Sequence, residues 1–344
     1  MSDVTKKQHY VWRNYLVPWT HNQDLKTGKI YVLRKNPKGT QEEIEYQILT
    51  KVGFEKFYYD ISNFNENDIN MYNEFIKYFQ INNRISFVLD TDEIKIANEK
   101  RDFIEKVIMS PMENIDNKYS FREKLMNKDV SFYTDSVCRR VSDILKKAIF
   151  ESIITQEKVL SNEVAAALFL SAMRRIDDED LKYEFNLFFC MQYCRSPRIH
   201  ENLTSNFEEF KKNSKELSNL NHKFAVNLIA LLFAQKMALN MTFKLNTSMK
   251  LYVNNSTIPF ITGDTPVVNI SDSETTAELY YPISPSIAVI VSNTIIPEEN
   301  TIMTIDKSQK EIIEIFNAKL YRNCVNEVYS NEEDILKMCK EISK

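Results

Sequence analysis

The stretch Gln8-His9-Tyr10-Val11-Trp12-Arg13-Asn14-Tyr15-Leu16 sets an imidazole and a guanidinium among aromatic rings. In a strand, His9, Val11 and Arg13 share one face; in a helix, His9 and Arg13 are i and i+4 neighbours. Either geometry brings the two together. The chemistry this suggests is a general acid or base beside an anion-holding arginine. The alternative is a segment docked by its aromatics, which dominate packing energy, with its polar groups bonding nearby backbone. A second stretch is Phe260-Ile261-Thr262-Gly263-Asp264-Thr265-Pro266-Val267-Val268. Asp264 falls where a strand runs out, a common place for a functional carboxylate. Gly, Asp and Pro together also favour an Asx-turn, in which the Asp side chain only holds backbone.

A third stretch, Gln192-Tyr193-Cys194-Arg195-Ser196-Pro197-Arg198-Ile199-His200, closes a helical pattern. Its Arg195 and His200 have an R-x₄-H spacing similar to that of the helical HEPN ribonucleases, where both residues face a scissile phosphate. Pro197 departs from that helical setting. The competing reading has Arg195 bonding the last carbonyls of the helix. Cys190 and Cys194, one helical turn apart, stand near His200. They supply too few ligands for tetrahedral zinc and read instead as small apolar residues on a buried face, so no metal is expected. Glu93 and Lys95 after the run Phe87-Val88-Leu89-Asp90, with Asp60 as a second carboxylate, match an E-x-K nuclease pattern. In a chain this rich in Lys and Glu that match is background.

Several chemistries are excluded by what is missing. The chain has only 4 glycines in 344 residues, and neither G-x-G-x-x-G nor G-x-x-x-x-G-K occurs. G-x-S-x-G and H-E-x-x-H are absent as well. Apolar residues make up 43% and charged residues 27%, the balance of a globular domain rather than a disordered one. With 44 basic and 48 acidic residues, net charge −4, overall charge does not draw the chain to nucleic acid or anionic membrane. The 5 cysteines are odd in number and irregularly spaced, which predicts free thiols in a reducing cytoplasm. Residues 1–8 lack an apolar segment and no stretch of eighteen apolar residues occurs, so neither a secretory signal nor a membrane span is expected.

The elements that must position these groups fall into three runs. Residues 1–62 read as strands and turns, with Lys29–Arg34 alternating as a half-buried strand and Phe57–Asp60 a shorter one. Residues 63–241 read as helical: Asn67–Ile81, Val137–Ile153, Glu163–Ile176, Leu181–Cys194 capped by Asp177, Phe207–Leu217 and His222–Ala238. Residues 242–344 return to strands, in Thr242–Val253, Thr257–Ile261, Leu279–Ile283, Ile287–Ser292 and Val325–Tyr329. Helices are predicted over Ser308–Tyr321 and, capped by Asn331, over Asn331–Ser343. Segregated runs of this kind predict one α+β domain over 1–344. In it the N- and C-terminal strands share a sheet beside a large helical block.

Taken in order, these stretches resemble the domain-of-unknown-function family 4238 (DUF4238). Its members begin with a His-aromatic-Val-Pro-Gln/Arg-x-x-Leu motif, to which His9–Leu16 is similar, with Trp12 in place of proline. An acidic helix start and an Arg-Thr-Pro-like element are resembled by Asp177–Asp180 and by Gln192, Arg195, Ser196 and Pro197. A Phe-x-Thr-Ser-Asp-x-Pro-Val element is resembled by Phe260, Thr262, Asp264, Pro266 and Val267, with Gly263 where serine is usual. Pro282-Ile283-Ser284-Pro285, Asn317 and Val328-Tyr329-Ser330 fit the family's closing elements. The resemblance implies a bacterial protein with a role in phage defence or toxicity, and it leaves the chemistry open. The enzyme expectation is a nuclease or nucleotide-acting hydrolase in which His9, Arg13, Arg195 and Asp264 meet in one cleft, with Gln192, Asn317 and Tyr10 binding substrate. The alternative is a binding or sensor protein in which the same residues form a structural latch. The cofactor is left unknown, and the partner expected is nucleic acid, a nucleotide or a protein.

Overall fold

The computed structural model describes residues 7–35, 43–56, 58, 179–213, ten positions from 226 to 242, 247–272, 276–292 and 301–342. The chain is a mixture of helices and strands. Its N-terminal strands are β1 (Lys7–His9), β2 (Lys29–Arg34), β3 (Glu43–Ile48) and β4 (Phe54–Lys56), with the single turn α1 (Arg13–Leu16) after β1. Helices α2 (Glu179–Cys194) and α3 (Pro197–Asn213) follow. The C-terminal strands are β5 (Ser248–Asn254), β6 (Thr262–Gly263), β7 (Val268–Asn269), β8 (Glu278–Ser284), β9 (Ile287–Ser292), β10 (Thr301–Ile305) and β11 (Glu327–Ser330). Helix α4 (Lys310–Asn323) precedes β11, and α5 (Glu333–Ile342) follows it.

The N- and C-terminal strands do share a sheet, in the order β3-β2-β11-β6. Strand β11 lies antiparallel to β2, pairing Val328 with Leu33, and antiparallel to β6, pairing Val328 with Gly263. The C-terminal part also builds a sheet of its own, β10-β5-β9-β8-β7, whose β10–β5 edge is parallel. The short pair β1–β4 stands separately.

Because side chains alternate along a strand, each sheet feeds two apolar layers. Val328 joins Leu33, Phe260, Phe316, Leu320, Ile335 and Leu336 on the side of α4 and α5. Tyr329 joins Val11, Trp19, Ile30, Val32, Phe188 and Phe189 on the other side, with α1 and α2. Strand β9 is buried along its whole length, so it reads as an unbroken apolar run rather than an alternating one.

Several elements differ from the sequence reading. Residues 257–261 are not a strand. Their backbone groups find other partners: Trp19 Nε1 donates to the Phe260 carbonyl at 2.9 Å, Asn254 Nδ2 donates to the Ile258 carbonyl at 2.7 Å, and the Phe260 N–H donates to the Pro285 carbonyl at 2.8 Å. Buried backbone must find partners, and here polar side chains and a turn carbonyl supply them without a neighbouring strand. A short strand occupies Phe54–Lys56; of the predicted run over 57–60 only Tyr58 is among the described residues, and it lies in a turn. Helix α5 starts at Glu333, and the Asn331 side-chain oxygen is buried without a hydrogen bond rather than capping it. The predicted helices over 67–81, 137–153 and 163–176, the Asp177 cap, and the Asp60, Glu93 and Lys95 pattern lie outside the described residues. Among the described residues, no helix is long and apolar enough to cross a membrane.

Candidate functional site

Asp264 follows the two-residue strand β6 and is wholly buried, at 0% exposure. Its backbone N–H donates to the Glu327 carbonyl at 2.9 Å, which continues the β6–β11 pairing. Its carboxylate turns the other way and accepts the backbone N–H groups of Val325 at 3.0 Å, Asn326, and Glu327 at 3.1 Å. Residues 325–327 are the entry to β11, so one side chain fixes where that strand begins. Gly263 allows this close approach: a Cβ there would lie 2.2 Å from Cys324 Sγ and 2.8 Å from the Glu327 carbonyl oxygen.

Glu327 is the hub beside it. One carboxylate oxygen pairs with Arg34 Nη1 from β2. The other accepts the Gly53 N–H at 2.8 Å and the Tyr329 hydroxyl at 2.5 Å. Glu327 is buried while Arg34 stays partly open to water, so these partners are what satisfy the carboxylate oxygens inside the fold. Gly53 has φ +60°, and a Cβ would meet Val11 Cβ at 2.9 Å, so both conformation and space demand glycine. The Gly53 carbonyl accepts the N–H groups of Tyr10 at 3.0 Å and Val11 at 3.2 Å. The first family-like motif is thus tied to the last one through Gly53 and Glu327.

His9 ends β1, half-buried, with Nδ1 3.1 Å from the Val52 carbonyl. A carbonyl only accepts, so Nδ1 carries the hydrogen in this bond. Arg195, 3% exposed, sits at the turn between α2 and α3. Its Nη2 donates to the His9 carbonyl at 2.8 Å, and its own carbonyl accepts the Tyr58 hydroxyl at 2.9 Å. Pro197 opens α3, where its missing N–H costs nothing. His200, in α3, stacks on Tyr58 at 4.8 Å and 27°. Tyr10 packs on the same Tyr58 ring, with centroids 5.1 Å apart.

The remaining predicted residues are dispersed. Asn317 of α4 is buried and clamps the irregular 259–261 segment: its Oδ1 accepts the Ile261 N–H at 3.0 Å and its Nδ2 donates to the Pro259 carbonyl at 2.9 Å. Gln192 is buried on α2, one turn before Arg195. Arg13, at the start of α1, is half-buried. Among the predicted residues, then, the fold joins His9 to Arg195 directly and Tyr10 to Asp264 through Gly53 and Glu327.

Sequence reasoning missed Glu327, Arg34, Gly53 and Tyr58. Glu327 left one signal, an acid within the predicted strand Val325–Tyr329, and Gly53 another, as one of so few glycines.

Burial sets the electrostatics. It pushes the Asp264 carboxyl up to about 6, outweighing the N–H donors of Asn326, Val325 and Glu327, which pull it down; the Glu327 charge adds to the rise. Burial also holds the Tyr10 and Tyr329 hydroxyls well above the usual phenol range, with Glu327 reinforcing both, so they stay neutral donors. The Cys194 thiol is pushed up to about 12 by burial and is no nucleophile at neutral pH. Among the described residues, no group of His, Cys, Asp and Glu side chains is arranged to hold a metal ion.

The Asp264 shift predicts a pH dependence with a definite sign. The folded carboxyl is raised from an ordinary 3.8 to about 6. The folded state therefore holds the proton more tightly, and the residue's contribution is fully present below about pH 4 and lost as pH rises to about 6. The loss amounts to about 3 kcal/mol at 1.36 kcal/mol per pH unit. Thermal unfolding of the wild type and of Asp264→Asn across this range should show the stability difference shifting against the wild type as pH rises. A difference that is flat, or that moves the other way, would refute the shift.

A family model described as "Protein of unknown function (DUF4238)" matches residues 7–334. No curated protein and no solved structure matches the chain.

Proposed function

The chain belongs to the DUF4238 family, and we propose that in this member the family-like motifs form a latch, in a protein that works by binding a partner. The latch holds the N-terminal segment, the α2–α3 turn and the C-terminal sheet together. One observation carries this reading. The Asp264 carboxylate has no exposed surface and is occupied by the backbone of 325–327. A catalytic carboxylate must reach its substrate or its base, and this one reaches neither. Arg195 supports the same reading, since its buried guanidinium donates to a backbone carbonyl of the N-terminal segment. A cytoplasmic setting fits the buried free thiols of Cys190, Cys194, Cys324 and Cys339.

The competing proposal is a nuclease or nucleotide-acting effector in phage defence or toxicity. It draws on His9 and Arg13, which are only half-buried. The two separate by experiment. His9→Ala and Arg195→Ala should each cost about 1–3 kcal/mol of stability, as lost buried hydrogen bonds do. Incubation with single-stranded RNA, duplex DNA and nucleoside triphosphates should show no turnover that depends on His9. Turnover by the wild type that vanishes in His9→Ala at an unchanged melting temperature would overturn the latch reading.

A further inference from the structure

Strand β10 closes one edge of the C-terminal sheet. Among the described residues its strand neighbour is β5 alone, paired in parallel from Thr301 against Lys250 to Ile305 against Asn254. The Ile305 carbonyl accepts the Asn255 N–H at 2.9 Å, so Ile305 turns its backbone groups toward β5. Backbone direction alternates along a strand, so Met303 does the same while Ile302 and Thr304 turn theirs outward. Exposure agrees: Ile302 is 39% and Met303 48% exposed, and Thr304 is open as well. Three successive open residues leave both faces and the outer edge of the strand in water.

This edge carries none of the usual protection. The run Thr-Ile-Met-Thr-Ile has no charge and no proline, and its register on β5 shows no bulge. Its β-branched residues suit continued strand pairing. The edge stops sharply at the next residue. There the Asp306 N–H donates to Gln309 Oε1 at 3.2 Å, and the Asp306 carbonyl accepts the Gln309 N–H at 2.9 Å. The backbone groups open to a partner are therefore those of Ile302 and Thr304.

We infer that β10 is a self-association edge, at which two copies of this chain pair their β10 strands antiparallel about a two-fold axis through Met303. In that register Ile302 of one copy and Thr304 of the other exchange both backbone bonds, so every outward group is met. A register centred on Thr304 would call on Asp306, whose groups Gln309 already holds. Met303 stands opposite its own counterpart, on the face of Tyr252, while Ile302 against Thr304 extends the face of Leu251 and Val253. Charge favours this occupant and this direction. Each copy carries a net charge of −4, so like copies meet at least cost over an uncharged strand. Antiparallel pairing also sets the exposed Asp306 of each copy at opposite ends of the junction, where parallel pairing would set them side by side. No latch residue lies on β10, so the dimer and the latch stand or fall separately.

Sedimentation velocity on the full chain tests this. One strand junction is small beside a standard interface, so a reversible dimer is expected, present at about 100 µM and dissociated at about 1 µM. Thr304→Pro removes an outward N–H and leaves the bonds to β5, while Ile302→Lys sets a charge on the edge. Each should weaken the dimer about 10- to 100-fold, because the two-fold axis counts every loss twice. Met303→Cys should crosslink two copies by a disulfide under mild oxidation, since non-hydrogen-bonded partners hold their Cβ atoms about 4.5–5.5 Å apart. Ile315→Cys, on α4 and 54% exposed, should not. In amide exchange, the Ile302 and Thr304 N–H groups should gain protection with concentration, whereas that of Met303 is protected throughout. A chain that stays monomeric at the higher concentration, a dimer undiminished in the folded variants, or no crosslink through Met303→Cys overturns the inference. A monomer in which the Ile302 and Thr304 amides are nonetheless protected assigns the edge to a different strand and overturns it as well.

Discussion

Asp264→Ala should lower the stability of the fold by about 3–5 kcal/mol, the largest loss expected from any single polar side chain of the latch. The truncated side chain would leave the N–H groups of Val325, Asn326 and Glu327 buried without an acceptor. It would also free the entry of β11, the strand that joins β2 to β6. The loss therefore spreads beyond the local bonds, because β11 carries both Val328 into one apolar layer and Tyr329 into the other. Asp264→Asn keeps one acceptor oxygen and should fall between the wild type and the alanine variant. Chemical unfolding near pH 7 measures both. An alanine variant within about 1 kcal/mol of the wild type would show that water or a shifted turn satisfies these groups, and the latch would lose its centre.

Gly263→Ser should be the most damaging small substitution in the sheet. The added Cβ would stand 2.2 Å from Cys324 Sγ and 2.8 Å from the Glu327 carbonyl oxygen. Overpacking of this kind costs about 1–3 kcal/mol and more where the obstruction is backbone, as the Glu327 carbonyl is. The clash with Cys324 makes the position conditional. A chain with serine here, as in the pattern it resembles, must carry something smaller at 324 or set the turn further off. Gly263→Ser combined with Cys324→Ala should accordingly regain about 1–2 kcal/mol over Gly263→Ser alone, a coupling typical of residues in contact. Strictly additive losses in the double variant would show that Cys324 is not what excludes the side chain.

Some of this architecture was legible in the residues themselves. Lys29–Arg34 and Ile287–Ser292 match β2 and β9 to the residue, because alternation and unbroken β-branched runs are local signals. The close of α2 before Ser196-Pro197 was legible for the same reason, since proline acts on its immediate neighbours. Residues 257–261 look equally β-like by composition. They fold otherwise because Trp19, Asn254 and Asn317 offer their backbone other partners. Nothing in the segment itself announces those partners, which lie as far as 241 positions away.

The candidate site divides along the same line. From the sequence alone came the residue types worth watching, His9, Tyr10, Arg195, Asp264 and Asn317, and the expectation that N- and C-terminal strands meet. Whether those groups face a substrate or one another's backbone depends on direction, and direction is a property of packing. The tertiary structure turned the Asp264 carboxylate toward 325–327, laid Arg195 on the His9 carbonyl and inserted Glu327 as the hub between Arg34, Gly53 and Tyr329. The physical reason is that a polar side chain removed from water must take whatever donors and acceptors the fold places around it. Sequence determines its chemistry, and only the surrounding chain decides what that chemistry is used for.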